Sequence, residues 1–371
     1  MKYKYPLIKP ELGEEELKEI QKVFKSGWLT QGPIVEEFER KIASYVNAKY
    51  AVAVTSCTTA LYLSIKALGL KGKIVVPDFT FPATGNAVIE AGANLILADI
   101  ERENYGLDFN LVKKNLNKDI SGIIVVHPFG YPLDLKSLME ISAERGYYVI
   151  EDAATALGAI REGRHAGNFG HIGCYSFHPR KLLTTGEGGM IVTNDEEVYE
   201  KLLILRNHGR DRHGTFIINS LNFRMPDILA AIGIAQLEKL EMVISRRRKL
   251  ATTYNQIFSE ILPQLKFVKE DKNCRCTYQS YVVGLPEKYA DYQPIIIEKL
   301  KKKYMIEAQI GTYALHLEPA FINYEKIGTL RNAEISKKTT ITLPLYSELE
   351  YSDIEYIANS LKNVLSSIME E

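Results

Sequence analysis

Along roughly the first half of the chain, apolar residues gather in short unbroken runs: YAVAVTS (50–56), GKIVVPD (72–78), NLILADI (94–100), GIIVVH (122–127) and YYVIED (147–152). Between them lie stretches with helical spacing. TTALYLSIKALGL (58–70) ends on a glycine stop, and LDLKSLMEISAERG (133–146) has the same rhythm. Continuous apolar strands spaced by helices predict a mainly parallel sheet covered on both faces. Two more short strands are expected at GCYSFH (173–178) and GGMIVTND (188–195).

From Met225 the pattern changes. MPDILAAIGIAQLEKLEMVISRRRKLATTYNQIFSEIL (225–262) is periodic and helical, predicting two helices or one bent helix, with its single proline near the start. Beyond it, YQSYVVGLP (278–286) and MIEAQIG (305–311) read as strands, and segments 292–304 and 351–371 as helices. The expected division is a large α/β domain over residues 1–240, including the N-terminal segment, and a smaller α+β domain over 241–371.

Composition narrows the functional classes. Forty-six basic residues balance forty-six acidic ones, so no net field draws the chain to nucleic acid or an anionic membrane. No apolar run reaches the ~18 residues of a membrane span. The opening MKYKYPLIKPELGEEELKE has no signal-peptide apolar core. Four cysteines, at 57, 174, 274 and 276, make neither a CxxC pair nor a disulfide framework. These features predict a reduced, cytoplasmic enzyme that uses no metal.

Several groups could serve an aldehyde cofactor such as pyridoxal phosphate, which needs an amine, an anion near its pyridine nitrogen, an anion cradle and a flat ring cover. Asp152 closes an apolar strand at the edge where open α/β sheets place ligands, although it also suits a helix N-cap. TSCTTALYL (55–63) sets small hydroxyl residues at a strand-to-helix junction, a natural anion site that ordinary capping would also explain. Phe81 either stacks on a planar ligand or packs in the core. Lys181, in CYSFHPRKLLTTGEGGMIVT (174–193), follows Ser176 by five residues and precedes glycines 186, 188 and 189. Alone it reads as a solvated loop charge. As one of four ordered features it reads as a nucleophile, with Arg180 a neighbouring cation that favours the neutral amine.

The motifs VPDFTFPATGNAV, VVHPFGYPLDL, VIEDAATALGA, SFHPRKLLTTGEGG, LRNHGR, LNFRMPDILAAIGIAQLEKL, ALHLEPAF and LPLY occur in this order over nearly the whole chain. In them the sequence resembles the DegT/DnrJ/EryC1/StrS sugar aminotransferases. The resemblance implies the aspartate aminotransferase fold (fold type I), with a large domain around a mainly parallel seven-stranded sheet and a smaller α+β domain. It implies that Lys181 forms the internal aldimine, Asp152 pairs with the pyridine nitrogen and Phe81 stacks on the ring. Backbone amides of Thr58 and Thr59, with Ser176, hold the phosphate. Asn222 reaches the phosphate of a neighbouring subunit's cofactor, which implies a homodimer with shared active sites. His316 and His208 lie where the family contacts a sugar nucleotide.

Two positions depart from the family pattern. Cys57 stands where a glycine is usual, and Thr155 where histidine or glutamine lies near the cofactor's ring hydroxyl. Relatives that dehydrate sugars carry histidine at the lysine position, so Lys181 favours transamination. The expected activity is transfer of an amino group from an amino acid, glutamate first among candidates, to a ketone of a nucleotide-linked deoxysugar. Two alternatives are a keto-cyclitol acceptor and a non-catalytic regulatory protein that binds the cofactor.

Overall fold

The computed structural model describes residues 3–370. Its centre is an eight-stranded sheet. In chain order the strands are β1 (Tyr50–Val54), β2 (Lys73–Pro77), β3 (Asn94–Ala98), β4 (Ile120–Val126), β5 (Tyr148–Asp152), β6 (Ile172–Ser176), β7 (Gly189–Thr193) and β8 (Glu325–Ile327). Across the sheet the order is β1-β7-β6-β5-β4-β2-β3-β8. Strand β7 pairs antiparallel with both neighbours, while every other pairing is parallel. The seven expected strands are thus joined by a short eighth from the C-terminal part of the chain.

Alternate side chains enter opposite faces, as the two-residue strand period requires. On β7, Ile191 joins the apolar layer beneath the helix Cys57–Ala67, whereas Met190 and Val192 join the layer beneath Pro33–Val46. Both faces are therefore dry, which is why the strands read as unbroken apolar runs rather than alternating ones.

The long periodic segment is a single helix, Asp227–Ile261. Ala230, Ile234 and Leu240 pack on the large sheet's layer, and Leu250, Tyr254 and Phe258 belong to a second core. Within this helix Gly233 allows close crossing, because a Cβ there would lie 2.5 Å from the Phe38 ring. The second core surrounds a three-stranded sheet formed by Tyr281–Gly284, Thr340–Leu343 and Gln309–Ile310.

Two segments cross between these bodies. Residues 313–327 leave the smaller body: Tyr313–Ala314 pairs with Phe79–Thr80, and β8 with β3. At the other end, Tyr5 and Leu7 join the smaller body through bonds to residues 305, 307 and 345. The helices Glu14–Ser26 and Pro33–Val46 instead pack on the long helix.

Candidate active site

All strands but β7 run in one direction and share one carboxyl edge, and the segments that leave it carry the candidate residues. After β1 comes Ser56, the N-cap of helix Cys57–Ala67, whose Oγ accepts from the Thr59 amide at 3.1 Å. That bond occupies the Thr59 N–H. The first-turn amides of Cys57 and Thr58 have no partner among the described residues, as the opening of a helix dictates. The Thr59 hydroxyl lies 3.0 Å from both the Thr55 and Ser56 hydroxyls. The outcome is a cluster of oxygens and free amides at the positive end of a helix, facing solvent through the exposed Thr58.

Asp152 ends β5 and is buried. Its Oδ2 accepts from the Thr84 hydroxyl at 2.8 Å, its Oδ1 accepts from the Ala154 amide at 3.1 Å, and Cys57 Sγ stands 4.0 Å away. Burial pushes the carboxyl above its ordinary value, while the bonds from Thr84 and Ala154 and the charges of Lys181 and His127 oppose that rise. A cation arriving at this carboxylate would hold it ionised.

Lys181 lies in the loop joining β6 to β7. Its amine makes no hydrogen bond or ion pair among the described residues. Desolvation holds its pKa below 10.5; nearby Cys57 and Asp152 act against the depression and Arg180 adds to it. An unpaired amine with a lowered pKa, close to a buried carboxylate, suits nucleophilic and proton-transfer work better than structural pairing.

Ser176, half-buried, ends β6 opposite Gly189. Of the loop glycines, only Gly186 is left-handed, at φ +87°. Gly189 is needed for close approach instead: a Cβ there would lie 2.4 Å from the Ser56 carbonyl carbon. The anion cradle and the lysine loop therefore touch backbone to backbone. Phe81, just past β2, caps helix Pro82–Glu90 and is 63% exposed. Its ring stands edge-on to Tyr313 with centroids 6.1 Å apart.

The remaining positions divide. His316 donates its backbone N–H to Asp78 Oδ1 at 2.8 Å and places Nδ1 2.6 Å from Oδ2, at the end of β2 near Tyr313. His208 and Asn222 are both exposed on the loop after helix Glu196–Arg206, and residue 208 is held at φ +58°. The Asn207 and Asn222 backbones form a bridge there.

Both departures have a structural account. Cys57 is the first helical residue, buried, and has no positive φ, so a glycine's freedom is not required. Thr155 gives its hydroxyl proton to the His127 carbonyl at 2.6 Å. Only its lone pairs stay available. His127 itself accepts from the Leu133 amide at Nδ1, and its Nε2 faces Glu151, a fully buried carboxylate that also takes the Gly167, Phe169 and Gly170 amides.

Sequence reading missed Thr84, Tyr313 and Gln279. For Gln279 a signal existed: it shares strand parity with Tyr281 and Val283, the inward register, where a polar residue is unusual. Thr84 and Tyr313 carried none, because they meet Asp152 and Phe81 only through the fold.

The residues present fit a planar aldehyde bearing a phosphate and a basic ring nitrogen. Free amides and hydroxyls stand at the cradle, an unpaired amine in the middle, a buried carboxylate below, and an uncovered aromatic ring at the rim.

Comparison with known proteins agrees. The DegT/DnrJ/EryC1/StrS aminotransferase family matches residues 10–362. GDP-perosamine synthase of Escherichia coli O157:H7 is 32% identical over 371 residues, covering 99% of this chain and 100% of that one. The aminotransferase TlmJ from Streptoalloteichus hindustanus superposes with a TM-score of 0.92 at 29% identity, covering 98% and 99% of the two chains. The E. coli GDP-4-keto-6-deoxy-D-mannose-3-dehydratase with bound hydrated PLP superposes at 0.91 with 26% identity, covering 97% and 100%. The chain belongs to the DegT/DnrJ/EryC1/StrS aminotransferase family and is a transferase of its aspartate aminotransferase fold.

Proposed function

We propose that this enzyme transfers the amino group of L-glutamate to the keto carbon of a nucleotide-linked deoxysugar, releasing the keto acid and an amino sugar. Its cofactor is pyridoxal 5′-phosphate, which when bound supplies the carbonyl that carries nitrogen and the ring that accepts an electron pair. The observation that carries the reading is the unpaired, desolvated amine of Lys181 beside buried Asp152 at the carboxyl edge.

Each residue then has a role at a stated atom. Lys181 Nζ, neutral more readily than an ordinary lysine, would take the proton from the donor's α-carbon with the cofactor bound. In the second half it works in reverse, protonating the sugar carbon. Asp152 holds the proton of the ring nitrogen, oriented by Thr84 and the Ala154 amide. Cys57 and Thr58 amides, the Thr59 hydroxyl and Ser176 hold the phosphate. Phe81 covers one ring face, and Thr155 accepts from the ring hydroxyl. His316, stiffened by Asp78, and His208 contact the sugar nucleotide. The similarity to a GDP-perosamine synthase supports a nucleotide-sugar acceptor.

A second copy of the chain completes the site. Support comes from the exposed apolar run Phe216, Ile217, Ile218 and Leu221, adjoining Asn222. Exposed apolar surface of this kind marks an interface. The cytoplasm is the setting we assign, in keeping with four free thiols, including Cys274 and Cys276 at 3.7 Å. Among the described residues, no helix is long and apolar enough to cross a membrane.

The test is a spectral titration of purified enzyme with glutamate, followed by single turnover on nucleotide-linked 3- and 4-keto-6-deoxysugars and on keto-inositols. Amination of a nucleotide sugar is expected. Turnover on keto-inositols alone would give the acceptor role to a cyclitol, and an unchanged spectrum with every amino acid would leave a non-catalytic protein.

A further inference from the structure

The amine at position 181 is aimed by a residue far away in sequence. Gln279, 5% exposed, lies just before Tyr281–Gly284, an edge strand of the smaller body's sheet. Its Oε1 accepts from the Leu182 amide at 2.9 Å, and its Nε2 donates to the Arg180 carbonyl at 2.5 Å. One partner only donates and the other only accepts, so the orientation of the side-chain amide is settled.

These are the two peptide groups that flank the Lys181 Cα. A third bond, from the Lys181 amide to the His178 carbonyl at 2.8 Å, holds the first of them again. We propose that Gln279 is a positioning residue for Lys181, clamping both of its peptide planes and so directing its side chain; this rests on Lys181 being the amine that carries the cofactor.

Gln279 is itself anchored. Arg247, buried on the long helix, donates to the carbonyls of Gln279 at 2.7 Å, Tyr278 at 3.0 Å and Leu345 at 2.6 Å. The loop has a second tie to the same body, from the Arg180 guanidinium to Gln309 Oε1 at 3.1 Å. A lysine side chain has four torsions, so a tilt of its peptide planes is amplified at Nζ. A displacement of ~1 Å at a reacting atom costs ~10²-fold in rate.

Three holoenzymes test the clamp: wild type, Gln279→Met and Gln279→Glu. Methionine keeps the volume and removes both bonds. Glutamate keeps the acceptor for Leu182 but sets a second oxygen against the Arg180 carbonyl, until protonation restores a donor. Readouts are the pKa seen in the bound cofactor's absorbance, the rate at which methylamine displaces Lys181, and the borohydride-fixed peptide.

In Gln279→Met we expect the adduct still on Lys181, an absorbance pKa raised by about half a unit or more as water reaches the amine, and displacement changed by about tenfold. In Gln279→Glu the same defect should fade as pH falls, which a mere packing role would not produce. Wild-type pKa and displacement in Gln279→Met, whatever its melting temperature, would overturn the proposal. Should that variant not fold, a Gln279→Glu defect that persists unchanged at low pH overturns it equally. An adduct on another residue of the wild type refutes instead the reading of Lys181.

Discussion

Lys181 and Asp152 have opposite charges in one desolvated space, and each is displaced from its ordinary titration toward the neutral form. The signs follow directly. Asp152, raised, contributes stability that is present below 3.8 and lost as pH climbs through its folded pKa. Lys181, lowered, contributes stability present above 10.5 and lost as pH falls through its folded pKa. At neutral pH both cost the apoprotein stability. We therefore expect the apoprotein of the double variant Lys181→Met/Asp152→Asn to melt above wild type at pH 7, read by calorimetry, while its amino-transfer activity disappears. A lower melting temperature would identify the pair as structural support. Thr84→Val isolates one contribution: it removes a bond that lowers the Asp152 pKa, so the acid limb of kcat/KM should move to higher pH. An unmoved limb would assign that limb to another group.

Among elements, the two decisive pieces are the helix Cys57–Ala67 and strand β7, because the first residue of one lies against the N-cap of the other. Gly189→Ala would place a methyl group 2.4 Å from the Ser56 carbonyl carbon and 2.7 Å from the Cys57 amide nitrogen. Backbone on both sides leaves no flexible side chain to yield, so we expect a loss of about 1–3 kcal/mol in stability. Phosphate affinity should fall as well, measured by equilibrium dialysis of the cofactor, since the same amides are displaced. Full cofactor affinity in a destabilised Gly189→Ala protein would separate the cradle from this contact.

For the whole molecule, the smaller body does more than finish the fold. Through Gln279, Gln309 and the returning segment 313–327 it reaches the lysine loop and the aromatic rim of the larger one. A second copy is the remaining part of the assembly we propose. If Asn222 serves the neighbouring subunit's cofactor, Lys181→Met and Asn222→Ala are each inactive alone, but their mixed dimers contain one intact site. Co-refolding the two variants should therefore restore activity and give a dimer by sedimentation. Dimers that stay inactive when mixed would confine Asn222 to its own subunit.

Much of this was legible in the chain. Unbroken apolar runs marked which segments are strands, because a sheet buried on both faces favours apolar side chains along nearly the whole strand. Position along those runs placed Asp152, Ser176 and the 56–59 loop at strand ends. The capped helix start that we propose as the anion cradle was legible for a local reason, since a cap is written in neighbouring residues. Tertiary structure decided what local pattern cannot. It spent the Thr59 amide on Ser56 and the Thr155 proton on His127. It brought Thr84 to Asp152 across 68 residues and Gln279 to the lysine loop across 97 and 99. It also returned residues 313–327 to the large sheet. Such contacts depend on which strand edges and helix faces meet, a property of the packed core. The lysine was visible in the sequence; what depresses its pKa and directs it is set by the fold.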